Sequence, residues 1–137
     1  MILIVGLTFV ACSDKENTTA PQISYIDNWS DTISASGYGE CMDTTLSHAV
    51  RRAGAINAAK LELKRNLKLQ LKDLQVTDTK KIGDLMEAND TLNLQIENYS
   101  DSYYMNDEIH YVEAYRLYIR GGIATSGLKS ILKNNGF

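Results

Sequence analysis

Between Ala49 and Leu74 the chain carries one apolar stripe. Ala49, Ala53, Ile56, Ala59, Leu63, Leu67, Leu71 and Leu74 recur at steps of three and four. That spacing puts roughly one apolar side chain per turn on a single helix face, so the stretch predicts a long helix that must pack against another layer. Asp43 and Thr44 are the N-cap candidates ahead of it, because a short side-chain oxygen there can accept a first-turn N–H. From Arg51 to Lys72 there are seven basic residues against the single acid Glu62. Most of them lie outside the stripe and read as a solvated face before they read as a contact with acidic headgroups or a partner. Lys60 falls near the stripe's middle and has to snorkel.

The remaining pattern supplies the other layer. Thr32 to Tyr38 alternates, with Ile33, Ala35 and Gly37 on one side, and predicts a strand closed by Gly37-Tyr38-Gly39. Leu74 to Thr77 reads as a brief strand and Lys80 to Ala88 as a short helix. Leu92, Leu94 and Ile96 alternate as a strand, and Ser100 to Glu108 reads as a hairpin loop. Ile109 to Ile119 is the longest alternating run, broken by Gly121-Gly122, with Leu128, Ile131 and Leu132 as a last helical turn or two. The expected fold is α+β, one long helix and a short one packed on a small, mostly antiparallel sheet. A chain of 137 residues accommodates one such domain, here assigned to residues 32–137.

The first residues are different. Met1 to Ala11 (MILIVGLTFVA) has no charged side chain and is shorter than the ~20 residues a membrane-crossing helix needs. It matches the hydrophobic region of a signal peptide in length. Phe9-Val10-Ala11-Cys12 resembles the bacterial lipobox, in which a small residue precedes a cysteine that becomes acylated. The resemblance implies a signal peptide over residues 1–11 and a mature N-terminus at Cys12 carrying palmitate-like chains, and Ser13 at the second mature position fits release to the outer membrane. Each buried methylene contributes about 0.8 kcal/mol, so two or more chains hold a protein stably on a membrane. Ser13 to Gln22 (SDKENTTAPQ) is polar and holds the only proline, the composition of a tether, and residues 12–31 are assigned to this lipidated linker.

Several chemistries lack their residues. Fourteen Lys and Arg against 17 Asp and Glu leave a formal charge of −3, which argues against a nucleic-acid partner. His48 and His110 sit on separate elements without neighbouring ligands, so no metal or other cofactor is expected. Cys41 has no Cys-x-x-Cys partner and reads as a structural thiol. No phosphate-binding loop or serine elbow is present, and the chain reads as no enzyme. Eight tyrosines against two phenylalanines, six of the eight around the expected hairpin, suit either a sheet core or an interface. Tyr103, Tyr104, Tyr118 and Arg116 are the candidate interaction surface.

Ala58-Ala59, Glu62, Arg65 and Leu67, following Gly37-Tyr38-Gly39 and the Ala-rich helix start Ala49 to Ala55, resemble a motif of the Helicobacter-type antigenic outer-membrane lipoproteins, the family that includes the flagellar basal-disk lipoprotein. Leu63 stands where that family has Ala, and Glu62 where it has Asp. The resemblance implies a helix-on-sheet domain tethered to the outer membrane, acting by self-association or with other envelope proteins, and in some members beside the flagellar motor. A second expectation from the residues is capture of a small ligand or glycan on a tyrosine-rich sheet face.

Overall fold

The computed structural model describes residues 24–102 and 104–137. The leader, Cys12 and most of the tether fall outside them, as does Tyr103. The long stripe forms α1 (His48–Lys72), 25 residues in length. Its cap is Ser47, whose side chain accepts the Val50 N–H at 3.4 Å. Neither Asp43 nor Thr44 takes that role. Asp43 instead accepts the amide and hydroxyl of Thr45 at 2.9 and 2.6 Å, closing a local turn. Those bonds hold the Asp43 carboxyl below its ordinary value.

The buried positions of α1 are Ala55, Ala59, Leu63, Leu67 and Leu71. A strict four-residue repeat overshoots the helical turn slightly, so the buried stripe winds around the helix, and Ala49 and Ala53 are exposed.

Three strands, β1 (Thr32–Glu40), β2 (Tyr104–Glu113) and β3 (Arg116–Ala124), form an antiparallel sheet in the order β1-β3-β2. Ile33, Gly37 and Gly39 of β1 and Leu117, Ile119 and Ile123 of β3 are buried on one face. On the other, Ser34, Ser36, Glu40, Tyr118 and Arg120 are exposed. Between the strands run α2 (Ile82–Ala88) and α3 (Asp90–Ser102), and after β3 comes α4 (Thr125–Asn134). Ile82, Leu85, Met86, Leu92, Ile96, Leu128 and Leu132 join the same core. Among the described residues the architecture is therefore α+β, with four helices where a long one, a short one and a last helical turn or two were expected, and a wholly antiparallel sheet.

Several expectations are corrected. Leu92, Leu94 and Ile96 lie on helix α3, not a strand: Leu92 and Ile96, four apart, are buried, while Leu94 is 62% exposed. The Asn89 side chain accepts the Leu92 N–H at 3.0 Å, so Asn89-Asp90 opens a helix as well as ending one. The run Ile109 to Ile119 is two strands folded back through Ala114 and Tyr115, with Ile109 opposite Ile119 and Tyr111 opposite Leu117. Residues 100–108, expected as a loop, instead end α3 and begin β2. Gly121 and Gly122 lie within β3 rather than breaking it; a Cβ on Gly122 would sit 2.9 Å from the Ile33 carbonyl oxygen. Around Leu74 to Thr77 the described residues make single bridges in place of a strand, Ser24 with Thr77 and Gln75 with Lys81.

Order also begins before Thr32, inside the stretch assigned to the tether. Ile26, in a short 3-10 turn (Ile26–Asn28), is a core residue. Tyr25 donates its N–H to the Val76 carbonyl at 3.0 Å, and the Trp29 indole donates to the Gln75 carbonyl at 2.7 Å.

The seam between β1 and α1 positions everything else. A Cβ on Gly37 would fall 2.1 Å from the Ala59 carbonyl oxygen, and one on Gly39 would fall 2.0 Å from that of Ala55. Strand and helix backbones thus touch directly, which only glycine permits. The same helix closes the outer edge of β1. Glu62 accepts the Tyr38 N–H at 2.8 Å, and Asn66 donates to the Ser36 carbonyl at 2.8 Å. These two side chains, four apart on one helix face, occupy edge groups that another strand would otherwise pair with.

Candidate functional site

The amino end of α1 and the β2–β3 turn meet at one end of the domain. The chain leaving β1 passes between them: Cys41 donates its N–H to the Tyr115 carbonyl at 3.1 Å, and Arg51 Nε donates to the Cys41 carbonyl at 3.4 Å. Cys41 itself is half-buried beside Gly54. The Arg51 guanidinium lies over the Tyr115 ring, 3.7 Å from its centre. On the same ring, His48 stacks at 5.8 Å between centres, and its Nδ1 shares a hydrogen bond with the Tyr115 hydroxyl. One turn on, Arg52 sits 4.7 Å from the centre of the Tyr111 ring and donates Nε to its hydroxyl at 3.0 Å. Cation–π contacts of this kind hold a guanidinium in place without neutralising it.

Between these walls is an open cleft of about 550 Å³, with His48, Ala49 and Arg52 on the helix side and Tyr111, Glu113 and Tyr115 on the hairpin side. Glu113 is engaged by Arg116 at 3.4 Å. Among the described residues, neither Arg51 nor Arg52 forms an ion pair with a carboxylate, and the first turn of α1 holds no acid. The cleft therefore combines aromatic walls with one guanidinium that has no ion-pair partner among the described residues, Arg52, and one carboxylate, Glu113.

The residues expected to form the interaction surface lie elsewhere. Tyr118 is on the outer sheet face, 45% exposed, with its ring 5.1 Å from that of Tyr38 at a tilt of 51°. The Tyr38 hydroxyl donates to Glu40 at 2.7 Å, and that bond raises the Tyr38 phenol above its ordinary pKa. Arg116 is not a free cation: its guanidinium spans Glu40 and Glu113, each at 3.4 Å. The backbone of Tyr104 pairs opposite Ile123 in β2. Tyr118 and Arg116 thus share the outer face, and Cys12 and Tyr103 lie outside the described residues.

The cleft residues were not singled out from the sequence as a group. Their signal was the pair Arg51-Arg52 at a helix start and tyrosines four apart, Tyr111 and Tyr115, in what read as one strand. Only the turn between β2 and β3 brings Tyr115 back against the helix. Among the described residues no cluster of three or more His, Cys, Asp or Glu side chains is placed to hold a metal ion, and no helix is long and apolar enough to cross a membrane. No family model, curated protein or solved structure matches the chain.

Proposed function

We propose that the protein is a non-enzymatic lipoprotein of the bacterial envelope, anchored to the outer membrane through Cys12 and acting by assembly with copies of itself or with other envelope proteins. The observation that carries the assembly reading is the asymmetry of the sheet's two edges. Glu62 and Asn66 occupy β1's outer edge, whereas β2 forms the opposite edge with Val112 61% and Ile109 38% exposed. Exposed apolar side chains on an edge strand favour pairing with another chain. The neighbouring outer face adds the Tyr38–Tyr118 pair, whose rings give contact area with a wet end. The anchor reading rests on the lipobox-like tetrad and the polar stretch after it.

Two measurements test the reading separately. Labelling cells with a palmitate analogue should mark the wild-type chain and leave Cys12→Ser unlabelled; equal labelling of both overturns the anchor. Sedimentation of the chain from Ser13 onward should show concentration-dependent association that Val112→Lys reduces. A monomer at every concentration, with no envelope protein crosslinked to it in cells, overturns assembly.

A further inference from the structure

The cleft between α1 and the β2–β3 turn lies apart from the outer sheet face that carries Tyr38 and Tyr118, and its chemistry stands whether or not the protein is anchored. We propose that it binds a small organic monoanion with an apolar face, of the class of a carboxylate-bearing sugar such as a hexuronate.

Three features point to that class. The volume, about 550 Å³, lies within the ~300–1,000 Å³ usual for small-molecule sites. Its hairpin wall is aromatic: Tyr115 is covered by Arg51 and His48, and Tyr111, 44% exposed, is the ring left to meet the C–H face of a pyranose. Its charge is carried by Arg52, whose Nε is already bound to the Tyr111 hydroxyl at 3.0 Å. That bond fixes the guanidinium plane and leaves the two terminal amino groups for a carboxylate, which matches their fork. A group held in place before binding loses less freedom when the ligand arrives.

Glu113 decides between anions. Its carboxylate also lines the cleft, where it accepts hydrogen bonds from sugar hydroxyls and repels a doubly charged phosphate. With one arginine fork, one carboxylate acceptor and one exposed aromatic ring, the site selects a singly charged polyol over inorganic phosphate. Arg51, stacked on Tyr115, adds to the positive potential without entering the cleft lining.

The test is a titration of the purified full-length chain with sodium glucuronate, followed by ligand-observed NMR, with glucose and inorganic phosphate as comparisons. Glucuronate should bind saturably, and glucose and phosphate each at least about tenfold more weakly, a difference of about 1.4 kcal/mol. Arg52→Gln should weaken glucuronate by about tenfold or more while thermal unfolding stays unchanged. Arg52→Lys, which keeps the charge and loses the fork, should also bind more weakly than wild type and serves if the Gln variant folds poorly. Absence of saturable glucuronate binding overturns the proposal. So does undiminished binding by the Lys variant, or by a folded Gln variant. Phosphate binding as tightly as glucuronate overturns the assignment to a sugar acid.

Discussion

The two ends of α1 meet the sheet in opposite ways. From Ala55 to Asn66 the helix lies so close to β1 that backbone touches backbone at Gly37 and Gly39, and Glu62 and Asn66 complete the strand's outer hydrogen bonds. One or two turns earlier, from His48 to Arg52, the same helix stands off from the hairpin, and the gap is spanned by long cationic and aromatic side chains around a cleft. Small residues make the first contact and large ones the second. The close seam leaves no room for a ligand and holds the helix at a fixed height; the wide end holds the room that the seam excludes. The seam thus sets the geometry of a site to which it contributes no residue.

The seam is where the molecule breaks most easily. Gly39→Ala would place a methyl 2.0 Å from the Ala55 carbonyl oxygen and 2.5 Å from the Ala59 nitrogen. Both are helix backbone, so no side chain can swing aside and the layers must part. Overpacking in cores commonly costs about 1–3 kcal/mol, and this substitution belongs at or above the top of that range. Thermal unfolding should fall by about 10 °C or more, given about 2–8 °C per kcal/mol for domains near this size. A variant that melts within a degree or two of wild type would show that strand and helix are not in backbone contact.

Closing the edge matters less than closing the layers. Glu62→Ala removes the acceptor for the Tyr38 N–H, but Tyr38 is only half-buried and water can replace the carboxylate. A loss of about 1 kcal/mol, the usual net worth of such a bond, is expected in denaturant titration. A cost as large as that of Gly39→Ala would mean that Glu62, not the glycine contact, fixes the seam.

The sequence disclosed the seam better than the cleft, for a physical reason. Leu63, Leu67 and Leu71 at four-residue steps can share a helix face whatever surrounds them, and Gly37-Tyr38-Gly39 beside an Ala-rich helix already implies close approach. These are local patterns. The cleft depends on where the chain reverses, and the reversal at Ala114 and Tyr115 lacks the glycine or Asn-Gly pair that marks many hairpin turns. Tyr111, Tyr115, Leu117 and Ile119 keep the same parity across the turn as in an unbroken strand, which conceals it. Leu92, Leu94 and Ile96 show the same limit at another place: a period of two and a period of four both fit Leu92 and Ile96. Asn89 as a cap, and the burial of Ser100 four residues after Ile96, settle it for the helix.

The smallest expected effect separates the two ends by pH. Apart from Glu62, the seam's close contacts are backbone, alanine and leucine, with nothing to titrate. The approach to the wide end is held by Asp43, whose carboxyl is kept below its ordinary 3.8, first by the Thr45 hydroxyl and then by the Thr45 amide, with Arg51 contributing less. A carboxyl with a depressed folded-state pKa contributes stability that is present above the unfolded value and lost as pH falls through the folded one. Acidification should therefore leave residues 41–47 unchanged down to about pH 4 and release the turn only below it. The Thr45 amide resonance should titrate with a midpoint under 3.8, while Gly39, whose close partners Ala55 and Ala59 carry no ionisable group, should keep its hydrogen-exchange protection through that step. In Asp43→Asn the Thr45 titration should vanish and the protection of Gly39 should not change. If Gly39 instead lost protection together with Thr45, the two ends of α1 would form one cooperative unit, and the contrast between a rigid seam and an independently released turn would fail.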